Sequence, residues 1–135
     1  MMNSYIFELP MKVRSYECDF ESIVNNAVYQ NYLEHTRHEF MIAHGLDVVE
    51  LHREGIDTVV ARINIAFKNP LHDNEEFLSK LNVKKEGVRY VFSQDIYRKD
   101  DSQLIIRAKV DVVCIVHGKL AVCEKIDKVF ANYLQ

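Results

Sequence analysis

From Arg62 to Lys68 the residues alternate, with Ile63, Ile65 and Phe67 on one face and Arg62, Asn64, Ala66 and Lys68 on the other. A period of two is that of a half-buried strand, and Asn69-Pro70 stops it because proline has no N–H to give to a ladder. The alternation recurs in Phe77, Leu81 and Val83 against Leu78, Lys80, Asn82 and Lys84, and in Tyr90, Phe92, Gln94 and Ile96 against Val91, Ser93, Asp95 and Tyr97. Glu86-Gly87 predicts a hairpin between these two strands. The longest run sets Leu104, Ile106, Ala108, Val110, Val112, Cys114 and Val116 against Ile105, Arg107, Lys109, Asp111, Val113 and Ile115. That is well beyond the usual strand of about five or six residues. His117-Gly118 turns it into a last strand expected through Leu120, Val122 and Ile126, and Lys99-Asp100-Asp101-Ser102 is another turn. Met11 to Cys18 is the expected first strand.

One segment has helical spacing instead, with Tyr29, Tyr32, Leu33, Thr36, Phe40 and Ala43 on one stripe. Asn25 or Asn26 is a suitable N-cap and Gly45 a suitable end, so the helix is predicted between them. A shorter helical turn fits Asp47 to Gly55, and the tail from Asp127 to Leu134 fits a strand end or a short helix. Strand, long helix, then long antiparallel strands is an α+β layout: one central helix wrapped by an antiparallel sheet of about five or six strands. One helix covers only part of a sheet face, so an edge or a second face needs another partner, and self-association as a dimer or tetramer is expected.

The chain of 135 residues fits a single domain spanning 1–135. With 48% hydrophobic residues and no stretch near the ~20 apolar residues that cross a bilayer, a soluble protein without membrane insertion is expected. Met1 to Met11 lacks the pattern of a secretory signal. Cys18, Cys114 and Cys123 are odd in number and widely spaced, which suits free thiols in a reducing, cytoplasmic setting. A net charge of -3 without a long basic run argues against nucleic acid as a partner.

The chemistry concentrates in Val13 to Arg37, VRSYECDFESIVNNAVYQNYLEHTR. Asp19 follows the first strand, and a short loop leads from it to the N-terminus of the long helix. Unpaired N–H groups and the helix dipole favour negative charge there, so a substrate carbonyl at that end has its developing oxyanion stabilised. A carboxylate beside such a site either takes a proton from attacking water or attacks the carbonyl carbon itself to form a mixed anhydride. Taken alone, Asp19 reads first as a loop or capping residue that satisfies backbone donors.

This stretch resembles the active-site signature of the 4-hydroxybenzoyl-CoA thioesterase branch of hotdog-fold proteins, through Arg14, Glu17, Asp19, Ile23, Val24, Asn25, Asn26 and Tyr29. The Val-Asn-Asn-x-x-Tyr form is also similar to that of acyl-carrier-protein thioesterases of the same fold. The later Glu34 and Arg37, Phe67-Lys68-Asn69-Pro70 and the acidic turn at Asp73 to Glu76 run in the family's order. The resemblance implies a hotdog fold and hydrolysis of an acyl-CoA thioester, with no cofactor besides the coenzyme A of the substrate. It implies Asp19 as the catalytic carboxylate, the Asn26 backbone N–H as oxyanion donor, Ile23, Val24 and Tyr29 near the acyl group, and Asn25 as helix cap. The family usually has glycine where this chain has Ser22, a change that narrows the site or reshapes its loop if the position needs positive φ or close approach of substrate. It also implies cations for the phosphates of coenzyme A, and Lys84, Lys85 and Arg89 around the Gly87 hairpin fit best, with Arg62 and Lys68 behind them. Each of these is, singly, as well explained as a solvated surface charge.

Other signals carry less. Cys18 has no histidine before Asn31 to serve as its base. His35 and His38 lack a third well-placed ligand, so they read as polar helix surface and no metal is expected. Two rival functions remain: a hydratase or dehydratase, which needs a histidine that the loop lacks, and a non-catalytic acyl-thioester-binding module.

Overall fold

The alternating segments between Arg62 and Val116 become strands, and the computed structural model, which describes residues 4–133, gives their extents. The chain runs β1 (Phe7–Lys12), α1 (Val28–Ala43), α2 (Val48–Arg53), β2 (Ile56–Phe67), β3 (Glu76–Glu86), β4 (Arg89–Arg98), β5 (Leu104–Val116), β6 (Lys119–Ala121) and α3 (Glu124–Phe130). The strands form one antiparallel sheet in the order β1-β3-β4-β5-β2, with the short β6 also on β5. The α+β expectation of one long helix on such a sheet therefore holds.

The helix is laid across the β1 and β3 side of the sheet. Its buried stripe is Tyr29, Tyr32, Leu33, Thr36, Arg37, Phe40 and Met41, facing Phe77, Leu81, Phe92 and Ile106. Burying a side chain as large as Phe40 or Leu33 contributes roughly 1.5 to 3 kcal/mol. One polar seam crosses this core: the hydroxyls of Thr36 and Ser79 are 2.6 Å apart, and Thr36 also donates to the Tyr32 carbonyl. Asp47 caps α2 by accepting from the Val49 N–H at 2.8 Å, as its sequence position suggests.

Several boundaries differ from the sequence reading. The first strand lies upstream of Met11–Cys18: Phe7, Leu9 and Met11 point inward along β1, and Pro10 is tolerated because β1 is an edge. β2 begins six residues before Arg62, at Ile56. The register shifts between Val60 and Arg62, so a bulge interrupts the alternation that would have revealed the first half of the strand. Phe67, expected inward, is half exposed and leans on the Tyr29 ring. The helix starts at Val28 rather than at Asn25 or Asn26, and Ala43 is exposed, with Arg37 and Met41 buried instead. β6 stops at Ala121, and Ile126 is buried on α3, not on a strand. The tail from Asp127 is thus helical to Phe130, while Leu134 lies outside the described residues.

Candidate active site

After β1, a 3-10 turn at Ser15–Glu17 redirects the chain beneath the start of α1. Glu17 holds it there. Its carboxylate accepts from the Arg14 N–H at 2.8 Å, from the Arg14 guanidinium at 3.2 Å and from the Tyr32 hydroxyl at 2.8 Å. Burial, and then the Glu17 carboxylate, push the Tyr32 hydroxyl well above the ordinary tyrosine range. Because Tyr32 is on α1, this bond ties the loop to the helix.

Residues 18–24 form a small hairpin. Cys18 bridges Val24, the Asp19 N–H donates to the Ile23 carbonyl at 2.9 Å, and the Ser22 N–H donates to the Asp19 carbonyl at 3.0 Å. These bonds define a three-residue loop closed by a residue in the left-handed region, a position that suits glycine. Ser22 occupies it with φ of 62°. The loop thus keeps the shape that a glycine would favour, and serine bears the strain. Asp19 opens the turn, and its Oδ1 accepts from the Glu21 N–H at 2.8 Å, the usual use of aspartate there. The other oxygen has no protein partner among the described residues, and the residue is half-buried.

The second arm of the hairpin leads into the helix. Asn25 donates its N–H to the Glu17 carbonyl at 3.0 Å and accepts from the Ala27 N–H at 3.0 Å through Oδ1, so it caps the turn before α1. The Asn26 N–H makes no bond among the described residues, and no acidic residue in the first turn of α1 offsets the positive end of its dipole. Asn26, Ile23, Val24, Tyr29, Phe67, Lys68, Asn69 and Pro70 line a shallow cleft of about 200 Å³. Tyr29 is buried at its floor, accepting from the Leu71 N–H at 3.2 Å, and the Leu71 carbonyl accepts from Val24.

The structure therefore brings together Ile23, Val24, Asn26, Tyr29 and one of the suggested cations, Lys68, on one cleft, with Asp19 and Asn25 on the adjoining hairpin and cap. The other cations lie elsewhere within one chain. Lys84 pairs with Glu86 at 2.8 Å, Lys85 pairs with Asp127 beside the Tyr90 ring, and Arg89 pairs with Asp111 at 2.9 Å. Arg62 and Arg89 share a depression on the outer sheet face with Arg107 and Lys109. Cys18 does not carry the marks of a nucleophile: burial, followed by Asp73, Asp19 and Glu17, raises its thiol pKa. His35 is exposed, but His38 is half-buried and lines a separate cavity beside Arg37, so it is not plain surface. Tyr16 and Phe20 flank Asp19 and are 79% and 96% exposed. Nothing in their spacing singled them out, since a lone aromatic beside a turn has no pattern of its own.

A long helix laid on one side of a curled antiparallel sheet, entered through a carboxylate-bearing hairpin, defines a hotdog-fold protein. Residues 13–132 match the sequence profile of the Thioesterase-like superfamily, and the chain belongs to that family. It is 38% identical over 103 residues to a chloroplastic acyl-acyl carrier protein thioesterase of Arabidopsis thaliana, covering 76% of this chain and 55% of the relative. A second Arabidopsis protein of the same description is 34% identical over 107 residues, covering 78% and 56%. The chain thus spans about half the length of these two relatives. Among solved structures, a 1,4-dihydroxy-2-naphthoyl-CoA thioesterase from Synechocystis superposes with a TM-score of 0.87 at 18% identity, over 93% of this chain and 96% of the other. Among the described residues, no helix is long and apolar enough to cross a membrane.

Proposed function

We infer that this chain hydrolyses an acyl thioester of coenzyme A to the free acid and the thiol. The observation that carries the reading is the Asp19 hairpin. It presents a carboxylate with one oxygen fixed by its own turn and the other without a partner among the described residues, on a hairpin whose second arm leads through Asn25 into an unneutralised helix N-terminus. A thioester carbonyl in the Ile23–Pro70 cleft has the Asn26 N–H as oxyanion donor, with Ile23, Val24 and Tyr29 against the acyl part. Asp19 either takes a proton from the attacking water or attacks the carbonyl carbon to form a mixed anhydride, which water then hydrolyses to the free acid and regenerated Asp19; in both cases the C–S bond breaks and the thiolate leaves, to be protonated by solvent. The chemistry calls on no cofactor. Membership of the superfamily and the acyl-CoA thioester hydrolase of Escherichia coli, 28% identical over 116 residues, support the reading.

The Arabidopsis relatives favour a second carrier, acyl carrier protein. A homo-oligomer is part of the proposal. β2 is a sheet edge of 12 residues, with Val59, Val60 and Phe67 between 43% and 50% exposed, an edge and apolar surface that a second copy covers. Antiparallel pairing of two β2 edges also carries the Lys84, Lys85 and Arg89 end of one copy toward the Asp19 end of the other. Free Cys18, Cys114 and Cys123 agree with a reducing, cytoplasmic setting.

The test is catalytic thiol release from aliphatic and aromatic acyl-CoAs and from acyl carrier protein thioesters, comparing the natural chain with Asp19→Asn. Loss of turnover by several orders of magnitude in the variant is expected. Release no greater than the protein's own three thiols, or equal turnover in both chains, refutes the assignment.

A further inference from the structure

A second cavity, about 320 Å³, is not beside Asp19. It lies against α1, between Glu34, Arg37, His38 and Met41 on the helix, Val59 and Val60 on β2, and Phe130 on α3, with the exposed Glu34 carboxylate at its rim. Its walls are mainly apolar, yet Arg37 is buried among them, 7% exposed. One guanidinium nitrogen donates to the Gln94 Oε1 at 3.0 Å, and the Gln94 amide donates to the Leu33 carbonyl at 3.1 Å, which fixes Gln94 as the acceptor toward Arg37. Arg37 forms no ion pair among the described residues; Glu34 acts on it only through space, from an exposed position. Burial accordingly lowers the guanidinium pKa from its ordinary value. A desolvated cation without a counter-ion is costly, and a guanidinium offers five donors, so those not used on Gln94 are left for what enters the cavity.

The cavity and the Asp19 cleft share one helix. From Tyr29 in the cleft to Arg37 is eight positions, about 12 Å along the axis. We propose, on the reading above as a thioesterase, that the acyl group runs along α1 into this cavity and that Arg37 selects acyl groups bearing an oxygen acceptor, hydroxyl or carboxylate, far from the thioester. An extended chain covers that span in roughly ten atoms. Within the cavity the apolar walls hold the methylenes, and a plain hydrocarbon end leaves the guanidinium donors not used on Gln94 without an acceptor. A hydrogen bond to a charged group in such a site is worth roughly tenfold to a hundredfold in kcat/KM.

The experiment measures kcat/KM for decanoyl-CoA, ω-hydroxydecanoyl-CoA and its ω-carboxy counterpart with the natural chain, Arg37→Met and Arg37→Lys. Calorimetric binding of the three free acids is measured alongside. A tenfold or greater preference for an oxygenated substrate that disappears in Arg37→Met, and partly returns in Arg37→Lys, is expected; which oxygenated member leads tells a neutral acceptor from an anionic one. Equal kcat/KM for all three in the natural chain, or a preference that survives in Arg37→Met, overturns the proposal. If no thioester turns over, the thioesterase reading falls, and the binding data decide separately: Arg37-dependent binding of the oxygenated acids upholds the cavity assignment, and equal binding of all three ends it.

Discussion

Replacing Ser22 with glycine removes the one steric conflict visible in the Asp19 hairpin. Ser22 has φ of 62° in a loop closed by the Asp19–Ile23 and Ser22–Asp19 backbone bonds. A Cβ in the left-handed region costs roughly 1 to 2 kcal/mol, and glycine gives back about 0.4 to 1 kcal/mol through the freedom of the unfolded chain. Ser22 is exposed and makes no side-chain hydrogen bond among the described residues, so little else is lost. The net expectation is a stabilisation of about 0.5 to 1 kcal/mol, a rise in Tm of roughly 2 to 4 °C for a chain of this length. Thermal unfolding followed by circular dichroism reads it directly, with Ser22→Ala as control, because alanine keeps the Cβ and so keeps the conflict. A Tm unchanged or lowered in Ser22→Gly, or an equal rise in Ser22→Ala, refutes the strain argument. Because the closing bonds are all backbone, turnover of Ser22→Gly should stay within a few-fold of the natural chain.

Tyr32→Phe deletes the hydroxyl that ties Glu17 to α1 and should cost about 1 to 2 kcal/mol in denaturant unfolding, together with a loss of turnover as the Asp19 hairpin loosens. It should also change the alkaline limb of stability. The folded Tyr32 holds its proton above the range where the unfolded chain releases it near pH 10, so stability is level below about pH 10 and falls above it, less steeply without this hydroxyl. A limb equally steep in the variant contradicts this. For the thiols, burial pushes Cys114 up to about 12, so at pH 8 it should resist a thiol reagent until the protein unfolds, whereas half-exposed Cys18 should react slowly. Asp19→Asn removes a negative charge that holds the Cys18 thiol pKa up, so Cys18 should then react faster; a slower reaction would count against the placement of Asp19 beside it.

The sheet was legible wherever one face is buried and the other wet, because alternation then reports the pleat directly, as in Phe77 to Val83 and Tyr90 to Ile96. It was not legible where the pleat is broken. The bulge after Val60 sets apolar residues side by side, so the first half of β2 shows no alternation continuous with Arg62 to Lys68. The end of the chain failed for a different reason. Leu120 and Val122 alternate like a strand but are exposed, while Ile126 and Phe130 are four apart and buried on α3. A six-residue window holds too few positions to separate the two periods.

The two candidate sites differ in the same way. The Asp19 hairpin is made of consecutive residues, so its turn chemistry, its cap and its position before the helix can all be read in order along Val13 to Tyr29. Even Ser22 in a glycine position could be flagged, although only the structure shows that the φ is kept rather than avoided. The Arg37 cavity is assembled from α1, β2, β4, β5 and α3, and its decisive contact joins Arg37 to Gln94 across 57 positions. In the sequence Arg37 is one more charge on a helix, and Gln94 one polar residue on the inward face of a strand. What distinguishes them is that they are buried against each other, and burial of a long charged side chain follows from which strands lie beneath the helix, not from its neighbours in the chain. The polar residue on an inward strand face is the signal that was available: Gln94 sits between Phe92 and Ile96, and a buried amide there requires a partner on the element that covers it.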